Sequence, residues 1–369
     1  MDTKTIVVTG GHQTPALAVI EEIQKTHPSW RIVWIGRKYV FEKDRVVSQE
    51  YSLVKSLAIQ FEELVTGRFD RSGSVTGLGS LLKLPGGIVQ ALRILKKVQP
   101  DCVVSFGGYI ALPVAFAASF LHIPVLTHEQ THALGLANRW IARISKKVFV
   151  SYPETLTSVP DKKGILTGLP IRSGIFSPSS SPSFSLPKEA LPILYITGGS
   201  TGAQTLNDII FPAVPQLLQT MIVIHQTGDG SFTKAKEIKD RLGTFDGRYI
   251  IAPFFHVQDI AWIYRHASIV LGRSGANTVA ELSAFQKKAV FVPLPWSAGN
   301  EQYENARYFQ NTGIAVILKQ EDMTPASLRL AIEEILQKPD PSDTNTVSFE
   351  SHAANNVTKE IDNLLSFQE

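Results

Sequence analysis

The sequence predicts an α/β protein built as two Rossmann-like domains, each a parallel sheet wrapped by helices, facing one another across a cleft. Three observations predict it. Short apolar, β-branched runs alternate with helical segments along the whole chain. Glycine turns stand where several of those runs end. The pattern then restarts at Ile193, after the Ser/Pro-rich stretch Ser177 to Pro187. At 369 residues the chain is too long for one ordinary core and suits two. The boundaries expected are residues 1–167 and 168–350, with an amphipathic helix over 351–367 (Val357, Ile361, Leu364, Leu365) packing back onto the first domain.

In chain order, Thr5 to Thr9 reads as a strand, Gly10-Gly11-His12 as a turn, the run through Pro15-Ala16-Leu17-Ala18-Val19-Ile20 as a helix, and Arg31 to Gly36 as the next strand. This turn lacks the three spaced glycines and the closing acidic residue of a dinucleotide fingerprint, because the second strand ends Gly36-Arg37. A nicotinamide or flavin enzyme is thereby disfavoured. Thr66 to Gly79, rich in Gly, Ser and Arg, reads as a mobile loop leading to Leu81-Leu82-Lys83-Leu84 and a basic amphipathic segment, Ile88 to Lys97. Apolar residues beside Arg93, Lys96 and Lys97 suit either an anionic bilayer surface or an ordinary half-buried helix.

Asp101 to Phe106 and Ile123 to Thr127 are further strands, and Ala111 to Leu126, broken by Pro113, His122 and Pro124, is a core helix plus a strand rather than a membrane span. His128-Glu129-Gln130-Thr131-His132 matches the zinc-protease string H-E-x-x-H. That chemistry needs both histidines on one helix face, and here they fall on the loop leaving a strand, so no metal is expected. In the second half, strands are expected over Ile193 to Thr197, Ile222 to Gln226 and Tyr249 to Ala252.

Composition narrows the class. With 44% hydrophobic and 19% charged residues the chain is globular, and a net charge of +3 gives no global argument for nucleic acid. The lone Cys102 sits in an apolar run and suits a buried thiol in a reducing compartment. Met1-Asp2-Thr3-Lys4 runs straight into a strand without a leader pattern, so a cytosolic or peripheral protein is expected.

The stretch Ala267 to Ala306 carries the most chemistry. Ile269-Val270-Leu271 forms a strand, Gly272-Arg273-Ser274-Gly275-Ala276 a small-residue turn, Asn277 to Phe285 a helix, and Ala289 to Val292 the next strand. Backbone N–H groups and the positive end of the helix dipole meet at that turn, where a diphosphate can sit without a metal. Glu281, about one turn into the helix, is placed to accept hydrogen bonds from a ribose.

These motifs together resemble the MurG family of glycosyltransferases, along nearly the full length and in the family's order. The matching segments are Thr9 to His12 with Pro15 to Ala18; Phe106 to Tyr109; His128-Glu129-Gln130 with Gly135 to Arg139; Gly168 to Arg172; Gly198 to Ala203; Arg273 to Glu281; and Gln302 with Asn305-Ala306. The resemblance implies the GT-B architecture and an inverting transfer of N-acetylglucosamine from UDP-N-acetylglucosamine (UDP-GlcNAc) to the 4-hydroxyl of lipid I. That acceptor is a polyprenyl-diphosphate-linked MurNAc-pentapeptide, and the product is lipid II. It further implies no cofactor, and peripheral contact with the anionic inner membrane at its cytoplasmic face. His12 would be the base or positioning group for the attacking hydroxyl, or else a turn histidine bonded to backbone. Thr9, Gly10 and Gly11 would line the acceptor side; Ser200, Ser274, Gly275, Ala276, Asn277 and Thr278 the diphosphate; Arg172 and Thr131 the donor; Val257 the uracil; Glu281 the ribose; Glu301 and Gln302 the sugar.

The chain also departs from the family pattern. Val7-Val8 stand where the family has glycines, Ile110-Ala111-Leu112 replace Val-Ser-Gly, Thr131 and Leu169 replace asparagines, and Thr201 and Glu301 replace glutamines. Those changes keep two alternatives open, another polyprenyl-diphosphate or glycolipid acceptor and, further off, a UDP-GlcNAc epimerase.

Overall fold

A computed structural model describes residues 3–39, 47–65, 84–177, 181–199, 202–340 and 352–366. The chain separates into two compact units, Met1–Arg172 with Glu350–Glu369, and Ser173–Phe349.

In the first unit, β1 (Thr5–Thr9), β2 (Arg31–Gly36), β3 (Gln60–Glu63), β4 (Cys102–Ser105), β5 (Val125–Glu129), β6 (Lys147–Val150) and β7 (Gly164–Leu166) form one parallel sheet in the order β3-β2-β1-β4-β5-β6-β7. Its central strands are covered on both faces, which is why Ile6-Val7-Val8 and Cys102-Val103-Val104 are unbroken apolar runs. Alternate residues feed opposite layers. Ile6, Val8, Trp34 and Val104 pack with helix Gln13–Thr26, whereas Val7, Val33 and Val103 pack with helices Leu84–Val98 and Gly108–Phe120. Helix Ala353–Ser366 completes the first layer through buried Val357, Ile361 and Leu365, and Asn355 Nδ2 donates to Glu22 Oε1 at 3.1 Å.

The second unit repeats the winding. Strands β8 (Ile193–Thr197), β9 (Ile222–Gln226), β10 (Tyr249–Ala252), β11 (Ile269–Gly272), β12 (Ala289–Phe291) and β13 (Ala315–Ile317) pair in parallel as β10-β9-β8-β11-β12-β13. Strand order reverses between β1 and β4 in one sheet and between β8 and β11 in the other. Ligands of such sheets bind beyond the strand carboxyl ends at that reversal. The turns at Gly10, Gly107, Gly198 and Gly272 all lie there.

Some elements differ from the expectation. Strand β5 extends through His128 and Glu129, because both side chains are buried, so these two residues are not on the loop leaving it. The helix after β11 spans Ala276–Ala284, one residue earlier than its pattern suggested. Strands β3, β6, β7 and β13 are not among those expected from the sequence; β6 and β13 are short apolar runs, whereas β3, Gln60-Phe61-Glu62-Glu63, is a half-buried edge. The expected loop over Thr66 to Gly79 and the segment Leu81-Leu82-Lys83 lie outside the described residues.

Because Ile361 is fully buried against helix Gln13–Thr26, Ile361→Ala is expected to destabilise the first unit by about 2–5 kcal/mol. Urea unfolding followed at Trp34, itself in that layer, reads the loss.

Candidate functional site

On the first unit, the turns after β1 and β4 meet backbone to backbone. A Cβ on Gly11 would stand 2.1 Å from the Gly107 carbonyl oxygen, and one on Gly108, at φ +79°, 3.0 Å from the Gly11 Cα. Gly10 meets a side chain instead: a Cβ there would fall 1.8 Å from Glu50 Oε1, which would have to move. That carboxyl is buried beneath the turn, accepts from Trp34 Nε1 at 2.6 Å, and is pushed above the usual carboxylate range by desolvation. Thr9 is fully buried, with its hydroxyl unpartnered among the described residues.

His12 is the N-cap of helix Gln13–Thr26 and does not cap it with its side chain. Its Nδ1 lies 2.7 Å from Gln130 Nε2. The pair works in two ways. With the amide donating, the neutral imidazole carries its proton on Nε2; with the carboxamide turned, Oε1 accepts from Nδ1–H and Nε2 is left as a base.

The His128 to His132 string builds the loop beside that turn. Glu129 accepts from Thr131 N (3.0 Å) and Thr131 Oγ1 (2.7 Å) on one oxygen, and from Gly135 N (2.8 Å) and Asn138 Nδ2 (2.9 Å) on the other. Thr131 is thus bonded within its own loop. His128 donates Nε2–H to the Gly168 carbonyl at 3.1 Å, and burial lowers its pKa to about 4. His132 stacks on Tyr152 at 3.6 Å between ring centres. The helical zinc-protease geometry is not formed. Arg172 is the last residue of the first unit before Ser173, and its Nε donates to Glu21 Oε1 at 2.7 Å.

On the second unit, a Cβ on Gly272 would stand 2.4 Å from the Thr197 carbonyl oxygen, so β8 and β11 leave their sheet in contact. Ser274 is fully buried and donates Oγ–H to the Gln302 carbonyl at 2.7 Å, while Asn305 Nδ2 donates to the Ser274 carbonyl at 3.1 Å. Gln302 Oε1 accepts from Leu294 N at 3.0 Å. Gly275 gives helix Ala276–Ala284 no side-chain cap, and no acidic residue stands in its first turn, which Asn277 and Thr278 occupy. An anion of a ligand therefore meets the helix dipole without competition from a carboxylate of the first turn. Glu281 follows, accepting from Tyr264 O–H at 2.9 Å. Burial, with Glu281 beside it, holds the Tyr264 phenol well above its ordinary pKa, so it remains a donor.

Val257 opens helix Val257–His266 and packs beside Gly174, so its N–H lacks an intrahelical acceptor. Glu301 opens helix Glu301–Gln310 after Asn300 in the left-handed conformation. Ser200 and Thr201 lie outside the described residues. Arg273 turns inward, donating to the Val292 carbonyl (3.0 Å) and Gln320 Oε1 (2.6 Å). Sequence reasoning missed Tyr264, since one aromatic in a helix carries no pattern.

The glycosyltransferase family 28 N-terminal domain matches residues 5–150, and the C-terminal domain of that family matches residues 193–361. A UDP-N-acetylglucosamine--N-acetylmuramyl-(pentapeptide) pyrophosphoryl-undecaprenol N-acetylglucosamine transferase of Treponema denticola is 36% identical over 86% of this chain and 83% of its own length. An enzyme of the same name from Bacillus cereus is 32% identical over 89% and 88%. The chain belongs to the MurG family. The crystal structure of Acinetobacter baumannii MurG superposes with a TM-score of 0.71, at 25% identity, over 98% of this chain and all of that one. The UDP-GlcNAc 2-epimerase of Neisseria meningitidis shares the fold at a TM-score of 0.60 and 14% identity, over 98% of this chain and all of that one.

Two outcomes follow from these contacts. His128 ionises near pH 4 when folded and near the ordinary 6.5 when unfolded, so below 6.5 the unfolded chain takes up more protons and stability falls towards pH 4. His128→Gln, which keeps a donor for Gly168, is expected to flatten that slope in thermal melts across this range. Tyr264→Phe removes the donor to Glu281 and is expected to weaken UDP binding about five- to tenfold by calorimetry.

Proposed function

We propose that this chain is an inverting, metal-independent hexosyltransferase that moves N-acetylglucosamine from UDP-GlcNAc to the 4-hydroxyl of lipid I, forming lipid II. The observation that carries the reading is on the second unit. An uncapped helix N-terminus at the sheet's reversal point is followed one turn later by Glu281, held by a buried tyrosine. A nucleoside diphosphate fits that pair: the diphosphate on the helix N–H groups, the ribose on the carboxylate.

The diphosphate side is then formed by Gly275, Ala276, Asn277 and Thr278, with Ser274 setting the turn. Val257 offers its backbone to the uracil, and Glu301 and Gln302 face the sugar. In the transition state the anomeric carbon–UDP bond breaks as the acceptor 4-oxygen attacks from the opposite face. Negative charge gathers on the leaving diphosphate, where the helix N–H groups stabilise it. On the first unit, His12 Nε2 takes the proton of the attacking hydroxyl, with the Gln130 carboxamide turned so that its Oε1 accepts from His12 Nδ1–H. Arg172, whose guanidinium is oriented by Glu21 of helix Gln13–Thr26, contributes a cation toward the donor nucleotide.

Peripheral membrane contact is supported by the outer faces of neighbouring helices of the first unit. Val89, Phe120, Leu136 and Trp140 are exposed large apolar residues there, beside exposed Arg93, Lys96, Arg139 and Arg143. The Arg143 guanidinium lies over the Trp140 ring at 4.9 Å. Exposed apolar side chains and cations on the same helices suit an anionic interface, and among the described residues no helix is long and apolar enough to cross a membrane.

The test is UDP release from UDP-GlcNAc with and without a lipid I analogue. Release is expected to depend on lipid I and to fall about 10²–10⁴-fold in His12→Ala; release without any acceptor would overturn the transferase reading in favour of an epimerase or hydrolase. In flotation with anionic vesicles, Arg139→Gln and Arg143→Gln are each expected to weaken binding roughly fivefold, whereas unchanged flotation would remove this face from the membrane contact.

A further inference from the structure

We infer that Gln226, at the carboxyl end of β9, is the positioning residue that holds the glycine turn after β8 and the base-reading loop of the donor site in one arrangement. The inference rests on the UDP-sugar reading above and adds a residue that touches neither end of the nucleotide.

Gln226 is 7% exposed, and its carboxamide has every hydrogen-bonding position filled. Its Nε2 donates to the Gly199 carbonyl at 3.2 Å and to Thr197 Oγ1 at 3.3 Å. Its Oε1 accepts from Phe255 N at 3.2 Å and from Tyr195 O–H at 3.4 Å. The orientation of the amide is fixed by chemistry, since a backbone N–H only donates and a carbonyl only accepts. Gly199 ends the glycine turn after β8, at φ +82°, and its own N–H is held by Thr197 Oγ1 at 3.1 Å. Phe255 lies two residues before Val257, in the loop that leads from β10 into helix Val257–His266. Neither segment belongs to β9, so this one side chain joins two loops that regular sheet pairing leaves separate. Backbone bonds alongside it, Thr227 N to the Ala252 carbonyl and Gly228 N to the Pro253 carbonyl, both at 3.0 Å, bring the exits of β9 and β10 together and leave Gln226 to span the rest.

Removing that amide leaves the Gly199 carbonyl and the Phe255 N–H without their partner, and each loop is released from the other. A carboxylate in its place repels the Gly199 carbonyl. A protonated carboxyl has the same shape as the amide, keeps an acceptor for Phe255 N–H and supplies one donor for Gly199. Gln226→Glu therefore reports on the contact through its own proton.

The experiment is calorimetric titration of UDP into the full chain, as wild type, Gln226→Glu and Gln226→Leu, at about pH 5 and about pH 8. Relative to wild type at the same pH, Gln226→Glu is expected to bind within about threefold at the acidic pH and at least tenfold more weakly at the alkaline one. Gln226→Leu is expected to bind weakly at both. Recovery on acidification also shows that the glutamate variant is folded. Wild-type affinity for Gln226→Glu at both pH values, or weak binding at both, overturns the inference while leaving the donor reading intact. Failure of the wild-type chain to bind UDP overturns the donor reading, and the inference with it.

Discussion

The tight exit of paired parallel strands governs both units. Where β1 lies beside β4 and β8 beside β11, the chain must turn with another backbone in contact, and residues without a Cβ are the ones that fit. The Gly11 to Gly107 and Gly272 to Thr197 approaches, 2.1 and 2.4 Å for a built Cβ, leave no room for adjustment by a flexible side chain, because the atoms met are carbonyl oxygens. The benefit is positional. A helix that starts immediately after such a turn has its N-terminus at the reversal point of the sheet, where several strand exits converge.

The units use this constraint differently. In the first, a carboxyl fills the space under the turn: Glu50, with its pKa raised by burial, sits against Gly10, Gly36 and Trp34. In the second, no acidic residue enters the first turn of helix Ala276–Ala284. The anion-binding capacity of that helix end is therefore kept for a ligand, and the nearest carboxylate in the same helix, Glu281, is held by Tyr264. Buried charges elsewhere serve architecture. Glu129 is compatible with burial because four donors surround it, and Arg273 because carbonyl oxygens and Gln320 receive its guanidinium.

The parts of this arrangement visible in the sequence were those written as runs or punctuation. Ile6-Val7-Val8 and Ile269-Val270-Leu271 read as buried strands because both sheet faces are covered, and the glycines after them read as turns. Edge strands such as Gln60 to Glu63 did not, since their pairing supplies the structure that their side chains do not announce. The site was legible to the level of loops, but not of contacts. Arg172 and Glu21 stand 151 positions apart and meet only in the folded unit. Gln226 and Tyr264 act through neighbours that no local spacing reveals. The zinc-like string shows the converse: the letters His128-Glu129 and His132 were present, but β5 geometry sends His128 to a carbonyl and His132 to an aromatic ring.

The family departures take on a different weight once their surroundings are known. Val7 and Val8 are fully buried inside β1, and Ile110 and Leu112, on helix Gly108–Phe120, are 4% and 8% exposed in its apolar layer. Their bulk fills the core of the first unit, so it does not by itself argue for a different acceptor. Thr131 keeps a short polar group bonded to Glu129 and so preserves the loop without an asparagine. Glu301 is a departure that changes charge. It opens a helix whose N-terminal dipole favours its negative charge, and a carboxylate accepts hydrogen bonds where the family's amide both accepts and donates. A ligand hydroxyl that met Glu301 would have to donate its proton to it.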